Sequence, residues 1–338
     1  MISREIQLKR RPLGAPVPAD FALAERSVAP PRDGEVTVRN LFMAVDPAMR
    51  GRMDDARSYV PPFRLDEPME GPVVGEVTAS GDPGFRPGDI VFSRLGWREA
   101  FTASASAVEL RDCSVLPPQA WLGFAGVTGL TAYAGIIRVA GGLKPGDVVF
   151  VSAASGGVGS LACQIAQLKG HKVIGSAGGA RKAAFLREEL KLDGVIDYKA
   201  EPNLTKALAR EVKAIGADGI DFYFDNVGGD HLHAAIAVAN PFARFSICGM
   251  ISQYNAAGVV TPPRNLTLIM GKRLRLEGFI ATDHLDIEQH FLADMKAWHR
   301  AGLLKQAETV HDGIDNAVTA FLGLFDGSNL GRTLVRLG

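Results

Sequence analysis

Between two apolar stretches the chain reads Ala154-x-Gly156-x-x-Gly159, inside VVFVSAASGGVGSLACQIAQL (Val148 to Leu168). A run that bare of side chains, placed where a strand turns into a helix, suits a bound pyrophosphate. Gly156 lets the main chain approach the anion, and Gly159 lets helix and strand pack closely. The N–H groups at the helix start then face the negative charge. Ala154 stands where such turns usually carry a first glycine, and a tight strand–helix turn without a ligand is the alternative. The regular alternation of strands and helices around it favours a dinucleotide.

The ribose end is marked by an absence and a pair of cations. About 20 residues beyond such a turn an acid would bond the 2′-hydroxyl and repel a 2′-phosphate. Here that offset from Gly156 holds Ser176, followed by Arg181 and Lys182 in AGGARK, and Tyr198 ends the next strand. Missing acid and present cations together point to a phosphorylated ribose, so NADPH is the expected cofactor. The alternative is that Arg181 and Lys182 only solvate a helix.

Metal chemistry finds few ligands. Residues 1–111 contain no Cys and no His; all seven histidines fall between His171 and His311, and the three cysteines (Cys113, Cys163, Cys248) are scattered. A thiolate–imidazole zinc site needs both types close together. His231 and His233 are two apart on a helix, share no face, and are expected on the surface. No zinc is expected.

The elements that position these residues fall into two styles. Up to about Leu122 short alternating runs such as EVTVRNLFMAV and FTASASAVEL are broken by Pro and Gly, the pattern of an irregular antiparallel β domain. Beyond it, strand and helix alternate from DVVFVSAA to ARFSICGM, predicting a parallel sheet covered on both faces. Two helices and a final strand, Thr333 to Leu337, follow; that strand is expected to rejoin the first domain. The expected boundaries are 1–124 with 297–338 returning to it, and 125–296.

Composition narrows the partners. With 338 residues, 47% hydrophobic and 22% charged, the chain has room for two cores. Lys+Arg and Asp+Glu both total 37, which offers no electrostatic basis for nucleic acid or an anionic membrane. No apolar run reaches spanning length and the N-terminal segment lacks an apolar core, so a soluble, cytoplasmic protein is expected.

Taken together, these residues resemble the zinc-independent medium-chain dehydrogenase/reductase superfamily, in the branch of prostaglandin, 2-alkenal and bacterial enone reductases. VDPAMRGRM, SYVPPFRLDEPMEG, GVTGLTAYAGI, AASGGVGSLACQIAQLKG, DFYFDNVGG, CGMISQYN, KRLRLEGFI and GSNLGRTLV carry the resemblance. It implies a GroES-like catalytic domain and a Rossmann cofactor domain, with the active site between them and a monomer or homodimer in solution. Gly156, Gly157, Val158 and Gly159 would take the pyrophosphate, and Lys182 and Tyr198 the 2′-phosphate. Asn226, Cys248, Gly249, Ile251, Ser252 and Tyr254 would line the nicotinamide side. Phe279 would pack near the carboxamide, and Asn329 would reach back from the C-terminal segment. Ala48 departs from the tyrosine usual in DPYMR, so the substrate pocket is expected to be wider or differently shaped.

The implied reaction is NADPH-dependent reduction of the carbon–carbon double bond of an α,β-unsaturated ketone or aldehyde. Charge develops on the carbonyl oxygen, so a hydrogen-bond donor aimed there is the main requirement. Tyr254 is the candidate donor and Tyr59 the second; the alternatives are a tyrosine capping a loop and a packed tyrosine beside prolines. Arg50 is expected to anchor its loop. Quinone reduction, and a cofactor-bound protein without turnover, are the other functions this pattern allows.

Overall fold

The computed structural model describes all 338 residues. From the N-terminus come β1 (Ile2–Leu8), β2 (Phe21–Ser27), β3 (Glu35–Ala44), β4 (Val73–Ser80), β5 (Ile90–Ser93), β6 (Ala100–Ser104) and β7 (Val108–Leu110). Next are α1 (Val127–Ile137), β8 (Val148–Val151), α2 (Gly157–Leu168), β9 (Lys172–Ala177), α3 (Ala180–Ala184) and β10 (Gly194–Asp197). They continue with α4 (Leu204–Ala214), β11 (Ile220–Asp225), α5 (Gly229–Val238), β12 (Ala239–Ile247), α6 (Thr267–Lys272) and β13 (Arg275–Gly278). The last are α7 (Glu288–Arg300), β14 (Glu308–Asp312), α8 (Ala317–Asp326) and β15 (Arg332–Arg336).

The chain divides into two compact units, Met1–Gly126 with Glu308–Gly338, and Val127–Ala307. Residues 297–307, expected with the first domain, fall in the second, because α7 and the turn after it belong there.

In the first unit a sheet of order β14-β15-β3-β4-β5-β7 carries β6 on the other side of part of β3, and β1 and β2 form a separate hairpin. Its pairings are antiparallel except β14 with β15. The last strand does rejoin this unit, pairing Leu334 with Ala44 and Val335 with Met43. One core cluster combines Leu8, Met43, Met53 and Trp97 with Phe321 from α8. Trp97 and Phe321 meet edge to face at 6.0 Å, so the C-terminal helix is embedded in the core begun by the N-terminal strands.

The second unit is a six-stranded parallel sheet of order β10-β9-β8-β11-β12-β13. All four residues of β8 are buried, as strands covered on both faces require. Phe150 stacks on Tyr223 at 5.0 Å and Tyr223 meets Phe245 edge-on, filling one side of the sheet. The chain builds outward from β8 to β10 and then restarts at β11 on the other flank. The strand order therefore reverses between β8 and β11, and in open α/β sheets ligands bind beyond the carboxyl ends of the strands at such a point. The segment ARKAAFLREEL forms α3 followed by a π-helical turn, Phe185–Glu189.

Candidate functional site

The glycine turn joins β8 to α2 at this reversal. A Cβ on Gly159 would lie 2.3 Å from the Ala153 carbonyl oxygen, so only glycine lets the helix start this close to the strand. Helix α2 has Gly156 at its N-cap and no side-chain cap. Its first intrahelical bond is Ser160 N–H to the Gly156 carbonyl at 2.9 Å, and the amides of Gly157, Val158 and Gly159 precede it. Ala154 is fully buried; its N–H bonds the Ser176 carbonyl at 2.9 Å and ties the turn to β9. Ala154 is thus a brace for the turn, and Gly156–Gly159 are its open part. A backbone cradle that a side chain would fill, with uncapped amides, fits a dinucleotide pyrophosphate.

At the ribose end the structure corrects one expectation. Ser176 has no exposed surface and its Oγ is buried without a partner, so its hydroxyl does not face a ribose. Every residue of β9 after Lys172 is buried, and the exposed surface begins at Gly178. Arg181 is exposed and engages no carboxylate, while Lys182, the next residue of α3, is half-buried. Tyr198 follows β10, with its N–H on the Ala177 carbonyl at 3.1 Å. A Cβ on Gly178 would come within 2.7 Å of the Tyr198 hydroxyl, so the phenol tip lies against this glycine. The acid at this turn, Asp197, has its Oδ1 taken up by the amides of Gly179 (2.7 Å) and Lys199 (3.1 Å), and two cations and a phenol beside it fit a 2′-phosphate.

The carboxyl ends of β11 and β12 form the next wall, organised by a residue that sequence reasoning passed over. Asp225 is fully buried, and its Oδ1 accepts from Tyr223 Oη (2.7 Å), Ser152 Oγ (3.2 Å) and the amides of Val227 (2.9 Å) and Gly228 (2.8 Å). Burial pushes its carboxyl up, against these four donors. Asn226 donates from its side chain to the Ser152 carbonyl at 2.8 Å, tying the ends of β8 and β11 together. An acid ending a strand just before Asn-Val-Gly-Gly was the available signal.

From β12 the amides of Cys248 and Gly249 bond the Asp225 carbonyl at 2.9 and 3.0 Å. The Cys248 thiol is pushed up to about 12 by burial and by the Asp225 carboxylate, which leaves it a poor nucleophile. Ile251 N–H reaches the Asn226 carbonyl at 3.2 Å, and Ser252 Oγ donates to the Val227 carbonyl at 2.6 Å. Tyr254 folds back so that its hydroxyl accepts the Met250 N–H at 3.3 Å and lies 2.9 Å from the Cβ position of Gly249. Phe279 packs edge-on against Phe224 (6.4 Å) and His284 (5.9 Å). Asn226, Cys248, Gly249, Ile251, Ser252 and Tyr254 are therefore brought together at one edge of the sheet.

In the first unit Ala48 is exposed on the 3-10 segment Pro47–Met53, and Tyr59 is 64% exposed. Arg50 is buried there, with Nε and Nη2 on the Gly14 carbonyl and Nη1 on Asp54 at 2.8 Å, which makes it an anchor. Asn329 Nδ2 donates to the Gly331 carbonyl in its own segment at 3.4 Å. A cavity of about 450 Å³ also lies in this unit, lined by Glu5, Arg26, Glu35 and Arg98 among others, and includes none of the candidate residues.

No group of three or more His, Cys, Asp or Glu is placed to hold a metal ion. His231 was expected on the surface and is instead 5% exposed, its imidazole pushed down to about 4 by burial. The error came from counting helix positions without knowing that Tyr198 covers this one: the two rings meet edge-on at 5.0 Å.

Comparison with known proteins agrees with this geometry. Residues 4–110 match the family described as the N-terminal domain of oxidoreductase, and residues 157–297 the one described as zinc-binding dehydrogenase. The NADPH-dependent curcumin reductase of Escherichia coli (strain K12) is 37% identical over 99% of this chain and 97% of that protein. The 2-alkenal reductase (NADP(+)-dependent) of Nicotiana tabacum is also 37% identical, over 98% and 97%. The crystal structure of CurA from Vibrio vulnificus in complex with NADPH superposes with a TM-score of 0.92 at 37% identity, covering 99% of both chains. With such likeness over its whole length to these NADP-dependent reductases, the chain belongs to the zinc-independent branch of the medium-chain dehydrogenase/reductase family.

Proposed function

We propose that this protein reduces the carbon–carbon double bond of α,β-unsaturated ketones and aldehydes at the expense of NADPH. The observation that carries the proposal is spatial. The uncapped start of α2, the Asn226 shelf and the Tyr254 hydroxyl all lie at the carboxyl edge of one parallel sheet, where its strand order reverses.

The amides of Gly157, Val158 and Gly159 hold the pyrophosphate; Arg181, Lys182 and Tyr198 take the 2′-phosphate; and Asn226, Cys248, Gly249, Ile251 and Ser252 line the nicotinamide end, with Phe279 and Asn329 beyond. NADPH supplies the hydride when bound. The Tyr254 hydroxyl, which accepts the Met250 N–H, is the donor that would meet the substrate's carbonyl oxygen as charge grows there. Tyr59 is the second donor of the same kind. Cys248 contributes shape, since its thiol stays protonated near neutral pH. Ala48 leaves space that a tyrosine would fill, so bulky conjugated enones are accepted. Three free cysteines suit a reducing, cytoplasmic compartment, and a monomer or homodimer is the working assembly.

The test is NADPH oxidation with a linear alkenal, a bulky conjugated enone, a simple quinone and a saturated ketone, with products identified by NMR. Saturation of the double bond with the carbonyl intact is expected for the first two. Turnover confined to the quinone, or formation of an unsaturated alcohol, would overturn the proposal.

A further inference from the structure

Tyr198 carries the one neutral hydrogen-bond donor among the groups assigned to the 2′-phosphate, and its phenol has a neighbour that no part of the site yet uses. Its ring is 38% exposed, and no hydrogen bond to its hydroxyl is made within the protein. Gly178 meets the phenol tip, and His231, from the first turn of α5, meets the ring edge-on at 5.0 Å with an interplanar angle of 84°. His231 itself is 5% exposed and its Nε2 is buried with no partner. A buried ring nitrogen without a partner is an unfavourable way to fill space that an apolar side chain would fill freely. What this imidazole supplies is a flat, rigid wall of two rotatable bonds, set against the one aromatic side chain at the corner.

We propose that His231 is a positioning residue for coenzyme selection: it holds the Tyr198 ring against Gly178 so that the phenolic hydroxyl is already aimed at the 2′-phosphate beside Lys182. This rests on the assignment of that phosphate to Arg181, Lys182 and Tyr198. A half-exposed phenol left without its wall would have to be ordered during binding, and affinity would fall accordingly. NADH lacks the phosphate and gains nothing from the arrangement. His231 therefore acts on the difference between the two coenzymes, and through Tyr198 alone.

Equilibrium titration of the full-length protein with NADP+ and with NAD+ tests this in the wild type, His231→Ala, His231→Phe, Tyr198→Phe and the double variant H231A/Y198F. His231→Ala should weaken NADP+ roughly fivefold to tenfold and leave NAD+ unchanged. His231→Phe, which restores a flat ring without a nitrogen, should recover most of the loss. In the double variant the two losses should not add, because removing the phenolic hydroxyl removes what the wall positions. His231→Val, run in parallel, keeps α5 apolar if alanine loosens it, and is read in the same way. Equal weakening of both coenzymes, additive losses, or no recovery with phenylalanine would overturn the role of His231. Lys182→Ala separates this failure from a deeper one: if it too weakens both coenzymes equally, the phosphate site itself is misassigned.

Discussion

The Tyr223 hydroxyl donates to Asp225 Oδ1 at 2.7 Å, two residues further along β11. Side chains two apart in a strand leave the same face, so this bond is set by the pleat. The same oxygen then takes Ser152 Oγ from β8 and the amides that begin the Asn226–Gly228 turn. One buried carboxylate thereby shapes the floor of the candidate site. Asp225→Ala leaves those donors unpaired and should cost about 3 kcal/mol of stability. Urea unfolding measures this; a loss below about 0.5 kcal/mol would show that the donors find other partners.

Gly159→Ala places a methyl 2.3 Å from the Ala153 carbonyl, and the neighbour is backbone that cannot swing aside. The helix start must shift, at about 1–3 kcal/mol, and coenzyme binding should fall for NADPH and NADH alike. Calorimetric titration with both coenzymes would expose the error if either bound as before.

Lys182→Ala removes a cation only from the corner proposed to take the 2′-phosphate. A charge-assisted contact contributes about 1.5–3 kcal/mol, so NADPH affinity should fall roughly 10- to 100-fold while NADH is unaffected. Matched losses in fluorescence titrations would remove the basis for preferring the phosphorylated coenzyme.

Tyr254→Phe deletes the hydroxyl proposed to meet the developing charge. Loss of one such donor lowers turnover on the order of 10²-fold, with the KM for NADPH little changed. A variant that keeps wild-type kcat would return Tyr254 to the role of loop cap.

His231 also sets a pH dependence. Its imidazole titrates near 4 in the folded protein, against about 6.5 in an unfolded chain. Between these values the unfolded chain carries the extra proton. Stability should therefore fall as pH drops from 6.5 toward 4, by about 3 kcal/mol in all, and be insensitive to this group above 6.5. Between pH 6.5 and 4 wild type should lose this stability and His231→Phe should not, so their urea midpoints should move apart as pH falls; parallel curves would show that the ring is not held neutral.

Much of the second unit was legible because alternation of buried strands and amphipathic helices is a local signal. Helix α4, Leu204–Ala214, is of this kind, burying Ala207, Leu208 and Val212 on one face. Helix α1 escaped because eight of its eleven residues are buried, so it has no polar face, and two glycines weaken its propensity. Strand β14 escaped for the opposite reason: ETVHD is polar and lies at a sheet edge. In the site, the glycines and cations could be read from spacing, since their roles follow from sequence offset. The inward turn of Ser176 and the cover over His231 depend on which distant side chain arrives, and no local pattern encodes that.

The placement of β15 has a consequence for how the polypeptide is made. It is inserted between β14 and β3, so the sheet of the first unit lacks an interior member until Arg332–Arg336 has been made. On the ribosome the stretch from Val127 to Ala307 is continuous and can complete itself while translation proceeds. The strands before Gly126, synthesised earlier, must wait for Arg332–Arg336 to emerge before their sheet can close.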